Sequence, residues 1–170
     1  MPPTIPDRRV RDFAMQLVPG AHVKVRRSVA GFAYFHHGVV SECDGIVSGC
    51  DGPSPESVKI IHFASPEGTH LQKEIVETSL AWFLDGGKDP SIEDTEPDYP
   101  LEDVVKRARS QLGKCGYFLP TKNCEHFASW CRTRSAFSGQ VSRFGESIVV
   151  SSVVALIIGS FVMAGARNPW

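Results

Sequence analysis

The chain has 170 residues, 42% of them hydrophobic and 22% charged, with a formal net charge of −1. That is enough for one domain with a substantial core, and the near-zero charge excludes the basic footprint of a nucleic-acid binder. The five cysteines are an odd number in no disulfide framework. Residues 1–19 are charged and Pro-rich with no apolar signal segment, so the cysteines read as thiols in a reducing, cytosolic-facing compartment.

Residues 1–19 form a polar lead-in with a short amphipathic piece over 10–18, closed by a Pro19-Gly20 turn. Residues 21–25 alternate as a strand, and 31–40 form a second, aromatic and β-branched one. Residues 42–55 are rich in Gly, Asp, Ser and Pro and read as a hairpin connection, with a short strand at 45–48. A third strand covers 57–64. A fourth, 74–78, leads into a short helical piece, 80–84, that ends at Gly86-Gly87. Residues 89–100, acidic and Pro-rich, read as a solvated loop. Pro100 opens a helix with Leu101, Val104, Val105, Ala108 and Leu112 on one face, and Gly113 stops it. Strands first and helices after predict an α+β fold, an antiparallel sheet with helices packed on it.

The end of the chain departs from this pattern. Residues 148–165 are an uncharged run of 18 residues, near the lower limit for a membrane-spanning helix. They predict a single-pass C-terminal anchor, with Arg167 and Trp170 at the interface and the domain left on the cytosolic side of an intracellular membrane. The competing reading is a long buried helix or a strand pair. The expected organisation is a lead-in at 1–19, a catalytic domain at 20–135, a connector at 136–146 and a C-terminal hydrophobic helix at 147–166.

The chemistry concentrates at Lys122-Asn123-Cys124-Glu125-His126-Phe127-Ala128. Asn123 is a good helix N-cap and Glu125 suits the first turn. Phe127, Ala128 and Cys131 follow Cys124 at i+3, i+4 and i+7, so the cysteine starts the core-facing stripe. A thiol at a helix start is expected to have a lowered pKa. His126 lies about 200° around the helix from it, so a base must come from elsewhere. His36, in the second strand, shares a face with Tyr34 and Gly38, while Phe35 and His37 lie on the other. His62 sits in the third strand. Neighbouring antiparallel strands could set His36 and His62 side by side on the face covered by the Cys124 helix, giving a nucleophile, a base and an orienting group. A zinc site from Cys43, Cys50, His62 and His70 is disfavoured, because the spacing holds no tight cysteine pair. His22 and His70 read as surface residues, and Arg8, Arg9, Arg11, Lys24, Arg26 and Arg27 as a solvated basic face, with contact to anionic lipid heads as the alternative.

Four blocks in this order resemble the lecithin:retinol acyltransferase-like family, which includes the phospholipase A and acyltransferase enzymes. They are Pro19-Gly20-Ala21-His22-Val23-Lys24-Val25, Tyr34-Phe35-His36-His37-Gly38, Ile61-His62-Phe63 and Asn123-Cys124-Glu125-His126-Phe127. The resemblance covers roughly residues 19–134 and implies a permuted papain-like (NlpC/P60) fold. It also implies Cys124 as nucleophile, His36 as general base and His62 as the polar third member. Tyr34 and Asn123 would support the oxyanion, and His126 would be structural. No metal or organic cofactor is implied. The implied activity is thiol-dependent hydrolysis or transfer of a glycerophospholipid acyl group at a membrane surface. The alternatives are a cysteine peptidase or amidase of the wider superfamily, or an inactive membrane-tethered interaction protein. This sequence departs from the family pattern at His37, where vertebrate members usually have Trp, and in a longer connection between His36 and His62. Nothing in it matches the special insertion of the retinol-acylating enzyme.

Overall fold

A computed structural model describes residues 8–29, 32–43, 53–65, 73–85, 87–116 and 123–134. The elements in chain order are α1 (Arg8–Ala14), β1 (His22–Val29), β2 (Phe32–Cys43), β3 (Val58–Ala64), β4 (Glu74–Ser79), α2 (Leu80–Leu84), β5 (Lys88–Ile92), α3 (Leu101–Arg109) and α4 (Cys124–Arg132). The strands form one five-stranded sheet in the order β4-β3-β2-β1-β5, with every pairing antiparallel. The α+β expectation therefore holds.

Alternation along the strands builds a core on each face of the sheet. On one face, Val23 and Val25 of β1, Val40 of β2 and Val58 and Ile60 of β3 pack against Phe13, Ala14 and Leu17 near α1 and against Leu80 and Phe83 of α2. On the other, Val39, Ile61, Phe63 and Ile75 meet Val104 and Ala108 of α3 and Phe127, Ala128, Trp130 and Cys131 of α4. At roughly 25 cal/mol per Å² of apolar surface removed from water, these two layers dominate the stability of the fold. The α4 stripe expected from the sequence is the one buried.

One segment overturns its sequence reading. Residues 89–92, expected within a solvated loop, belong with Lys88 to β5 on the outer edge of β1, with Val23 opposite Ile92 and Arg26 opposite Lys88. An edge strand needs only one set of ladder bonds, so it tolerates Pro90 and a polar sequence. The register slips between Lys24 and Arg26, where Asp89 adopts a positive φ of 52°.

The expected short strand at 45–48 and the expected C-terminal helix at 147–166 lie outside the described residues. Among the described residues, no helix is long and apolar enough to cross a membrane.

Candidate active site

Cys124 opens α4. Asn123 before it is the N-cap, with extended backbone, and its side-chain oxygen accepts the His126 backbone N–H at 2.9 Å. That bond satisfies one of the donors a helix start leaves unpaired and fixes the first turn. Cys124 is only 4% exposed. Its Sγ lies 3.9 Å from the Phe35 carbonyl oxygen, and the backbone N–H groups of His37 and Glu125 act on it as hydrogen-bond donors. The sulfur thus meets the peptide groups on both sides of His36. The β2–β3 register begins at the Gly38–His62 pair, so the thiol sits at the stretch of β2 that precedes this pairing.

His36 and His62 come together as expected. His36 Nε2 and His62 Nδ1 are 2.8 Å apart, and His62 Nε2 is 2.9 Å from the Thr78 hydroxyl. Phe83 stacks on His36 with ring centroids at 5.1 Å and meets His62 edge-on at 5.2 Å. Trp82 closes on His62 from the solvent side, at 5.4 Å. Gly38 makes this packing possible. A Cβ there would lie 2.6 Å from Ile60 Cγ2, 3.1 Å from Phe83 Cε2 and 3.2 Å from His62 Cβ.

The face is not the expected one. The two rings lie on the α2 side of the sheet with Phe83, whereas α4 covers the opposite side, which presents His37. Among the described residues the geometry records ring-to-ring bonding of His36 with His62, and bonding of Cys124 to the β2 backbone.

The expectation of a lowered thiol pKa is also reversed. Burial pushes the Cys124 thiol up, and it outweighs the His37 N–H, the Lys73 charge and the Glu125 N–H, which act the other way. His36 is held well below the usual histidine range, first by burial and then by His62, Arg27 and Lys73. Burial and Arg27 lower His62 too. The resting site therefore holds neutral thiol and neutral imidazoles.

His22, read from the sequence as a surface residue, is buried at 4% exposure beneath α4. Its Nε2 is 2.8 Å from His37 Nδ1, which makes a second imidazole pair on the far face of the same strand. Residue alternation alone puts His22 on the face opposite Val23 and Val25; the covering helix could not be read from that stretch. His70 lies outside the described residues. Tyr34 is half-buried and stands two residues before His36 on the same face, opposite Arg27 in the register. Asn123 has its side-chain oxygen committed to the helix cap.

A sequence profile described as lecithin retinol acyltransferase matches residues 15–137. That is well over half of the chain and spans every residue of both imidazole pairs and the cysteine. The chain belongs to the lecithin retinol acyltransferase family. Among its relatives, the lecithin retinol acyltransferase of Mus musculus is 36% identical over 75 residues, covering 39% of this chain and 32% of the mouse protein. That of Rattus norvegicus is 43% identical over 49 residues, covering 29% of this chain and 21% of the rat protein. That of Homo sapiens is 39% identical over 49 residues, covering 29% of this chain and 21% of the human protein. The chain thus aligns with about a third or less of each of these relatives. Membership places the chain in a family named for acyl transfer.

Proposed function

We propose that this protein is a thiol-dependent acyl hydrolase or acyltransferase acting on glycerophospholipids at a membrane surface, through a Cys124 acyl-thioester. The observation that carries the reading is the placement of Cys124 Sγ against the peptides flanking His36, whose ring is itself bonded to His62. Cys124 is the nucleophile, His36 the general base and His62 its orienting partner. Because the thiol rests protonated, its proton passes to His36 as the sulfur attacks the ester carbonyl carbon.

A C–S bond forms and the carbonyl becomes a tetrahedral oxyanion. Backbone N–H groups at the start of α4 stabilise it, a contribution of roughly 3–4 kcal/mol per good donor in comparable sites. The ester C–O bond then breaks, and the lysophospholipid oxygen takes the proton back from His36. Water, an alcohol or an amine next attacks the thioester, and the thiol is restored. Tyr34, on the face of β2 that carries His36, would support the oxyanion, while Asn123 caps the helix. Arg27 bears on both His36 and His62, and Lys73 on both His36 and Cys124. These two cations flank the site and favour an anionic phosphodiester there. The order of histidine strands before the cysteine helix supports a permuted papain-like arrangement. A C-terminal helix at 147–166 would hold the domain at the cytosolic face of its substrate membrane.

The test is intact-mass spectrometry of the full chain after exposure to mixed-acyl phosphatidylcholine vesicles, with Cys124→Ala in parallel. The expected result is a hydroxylamine-labile fatty-acyl increment on the native chain and none on the variant. Absence of both adduct and lysophospholipid would overturn the phospholipid reading.

A further inference from the structure

We propose that Thr78 is a positioning residue for the thiol chemistry, its hydroxyl setting the tautomer of His62 and thereby leaving Nδ1 of His36 as the bare nitrogen that takes the Cys124 proton. The inference rests on the reading of Cys124 and His36 as nucleophile and base. Four groups form a single chain. His36 Nε2 is 2.8 Å from His62 Nδ1, His62 Nε2 is 2.9 Å from Thr78 Oγ1, and the Thr78 hydroxyl donates to the Ser79 carbonyl oxygen at 3.3 Å.

A carbonyl can only accept, so the one hydroxyl proton of Thr78 points to Ser79 and its oxygen receives the Nε2–H of His62. Neutral His62 then carries no hydrogen on Nδ1, which must accept from His36 Nε2–H. The remaining nitrogen of His36, Nδ1, is bare. If the two histidine bonds ran the other way, the Thr78 hydroxyl would give up Ser79 and donate to His62 Nε2, and His36 would hold its hydrogen on Nδ1, unable to act as a base from that atom.

Thr78 is therefore what decides between the two. Its place is fixed by topology: β4 pairs with β3 so that Thr78 stands opposite Ile60 and Val76 opposite His62. Thr78 is thus held two residues along β4 from the position opposite His62, with the Ser79 helix cap next to it, where the Ser79 hydroxyl accepts the Trp82 N–H at 3.2 Å. The sequence marks Thr78 only as one more strand threonine.

The experiment is tautomer-resolving ¹⁵N NMR of His36 and His62 in the full chain carrying Cys124→Ala, compared with the same chain carrying Thr78→Val or Thr78→Ser. It is paired with iodoacetamide alkylation at Cys124, read by mass spectrometry from pH 6 to 8, in chains that keep the thiol. Expected is hydrogen on Nε2 of both rings with Thr78, the same with Ser, and a mixed or inverted pattern with Val. Alkylation at Cys124 should fall about tenfold in Thr78→Val, the equivalent of 1.4 kcal/mol of tautomer bias, and be recovered in Thr78→Ser. Hydrogen on His36 Nδ1 with Thr78 intact, or native tautomers and native alkylation in Thr78→Val, would overturn the proposal. A native chain that takes no acyl group yet gives the expected tautomers and alkylation would sink the phospholipid reading and leave the role of Thr78 standing.

Discussion

His36 and His37 are consecutive in β2, so their rings leave the sheet on opposite faces, and each finds a histidine on a neighbouring strand. All four rings are buried and all four have pKa values held down chiefly by burial, His37 to about 4 and His62 to about 3. In the unfolded chain they would titrate at their ordinary value, so below about pH 6.5 the unfolded state binds more protons than the folded one. Stability is then complete above that pH and lost as pH falls toward the folded values, by up to about 1.4 kcal/mol per pH unit for each ring. Thermal melts at pH 7.5 and 5.5 should show a marked drop in midpoint, and His22→Leu combined with His37→Phe should shrink it. A second expectation concerns Gly38. Alanine there meets Ile60, Phe83 and His62 at once, which should cost about 1–3 kcal/mol in urea denaturation and also slow Cys124 alkylation by displacing His62. At this scale the sequence made the pairing of His36 with His62 and the helix-start place of Cys124 legible, because each sits in a distinctive short block. The burial of His22 and the raised thiol were not legible, since both depend on which helix covers which face.

Helix α4 is pinned at both ends, by different residues. Asn123 caps its start, and at its end Arg107 of α3 donates to the Trp130 and Cys131 carbonyls at 2.7 and 3.1 Å. The same guanidinium lies 4.0 Å from the centre of the Trp130 ring and 4.3 Å from that of Tyr99. Replacing Asn123 by Ala should lower stability by about 1 kcal/mol and loosen the first turn that carries the thiol, measurable as faster amide hydrogen exchange at residues 124–127. Arg107→Lys keeps the charge but loses the planar fork that reaches two carbonyls and stacks on two rings. It should cost roughly 1–3 kcal/mol in a denaturant titration, with the loss centred on α3 and α4. The helices were legible from their apolar spacing, although α3 ends at Arg109, short of the expected stop at Gly113, and leaves Leu101 and Leu112 exposed. Strand β5 was not, because an edge strand of Lys88, Asp89, Pro90 and Ser91 owes its form to β1 beside it and carries no pattern of its own.

The described residues form a sheet with a packed layer on each side, whereas the order of strands before helices led only to an antiparallel sheet with helices packed on it. The sequence could not say which layer each reactive group would join, because alternation fixes relative faces and leaves open which helix lies over them. The answer is that the thiol hangs from the α3–α4 layer while the imidazole pair is clamped by Phe83 in the α1–α2 layer. Phe127→Ala should open one side and Leu80→Ala the other, each costing about 2–5 kcal/mol. Both should depress Cys124 alkylation near neutral pH, although neither residue belongs to the thiol or its base. The reactive unit therefore depends on both layers at once, the thiol held by one and its base by the other, so loosening either one parts the two.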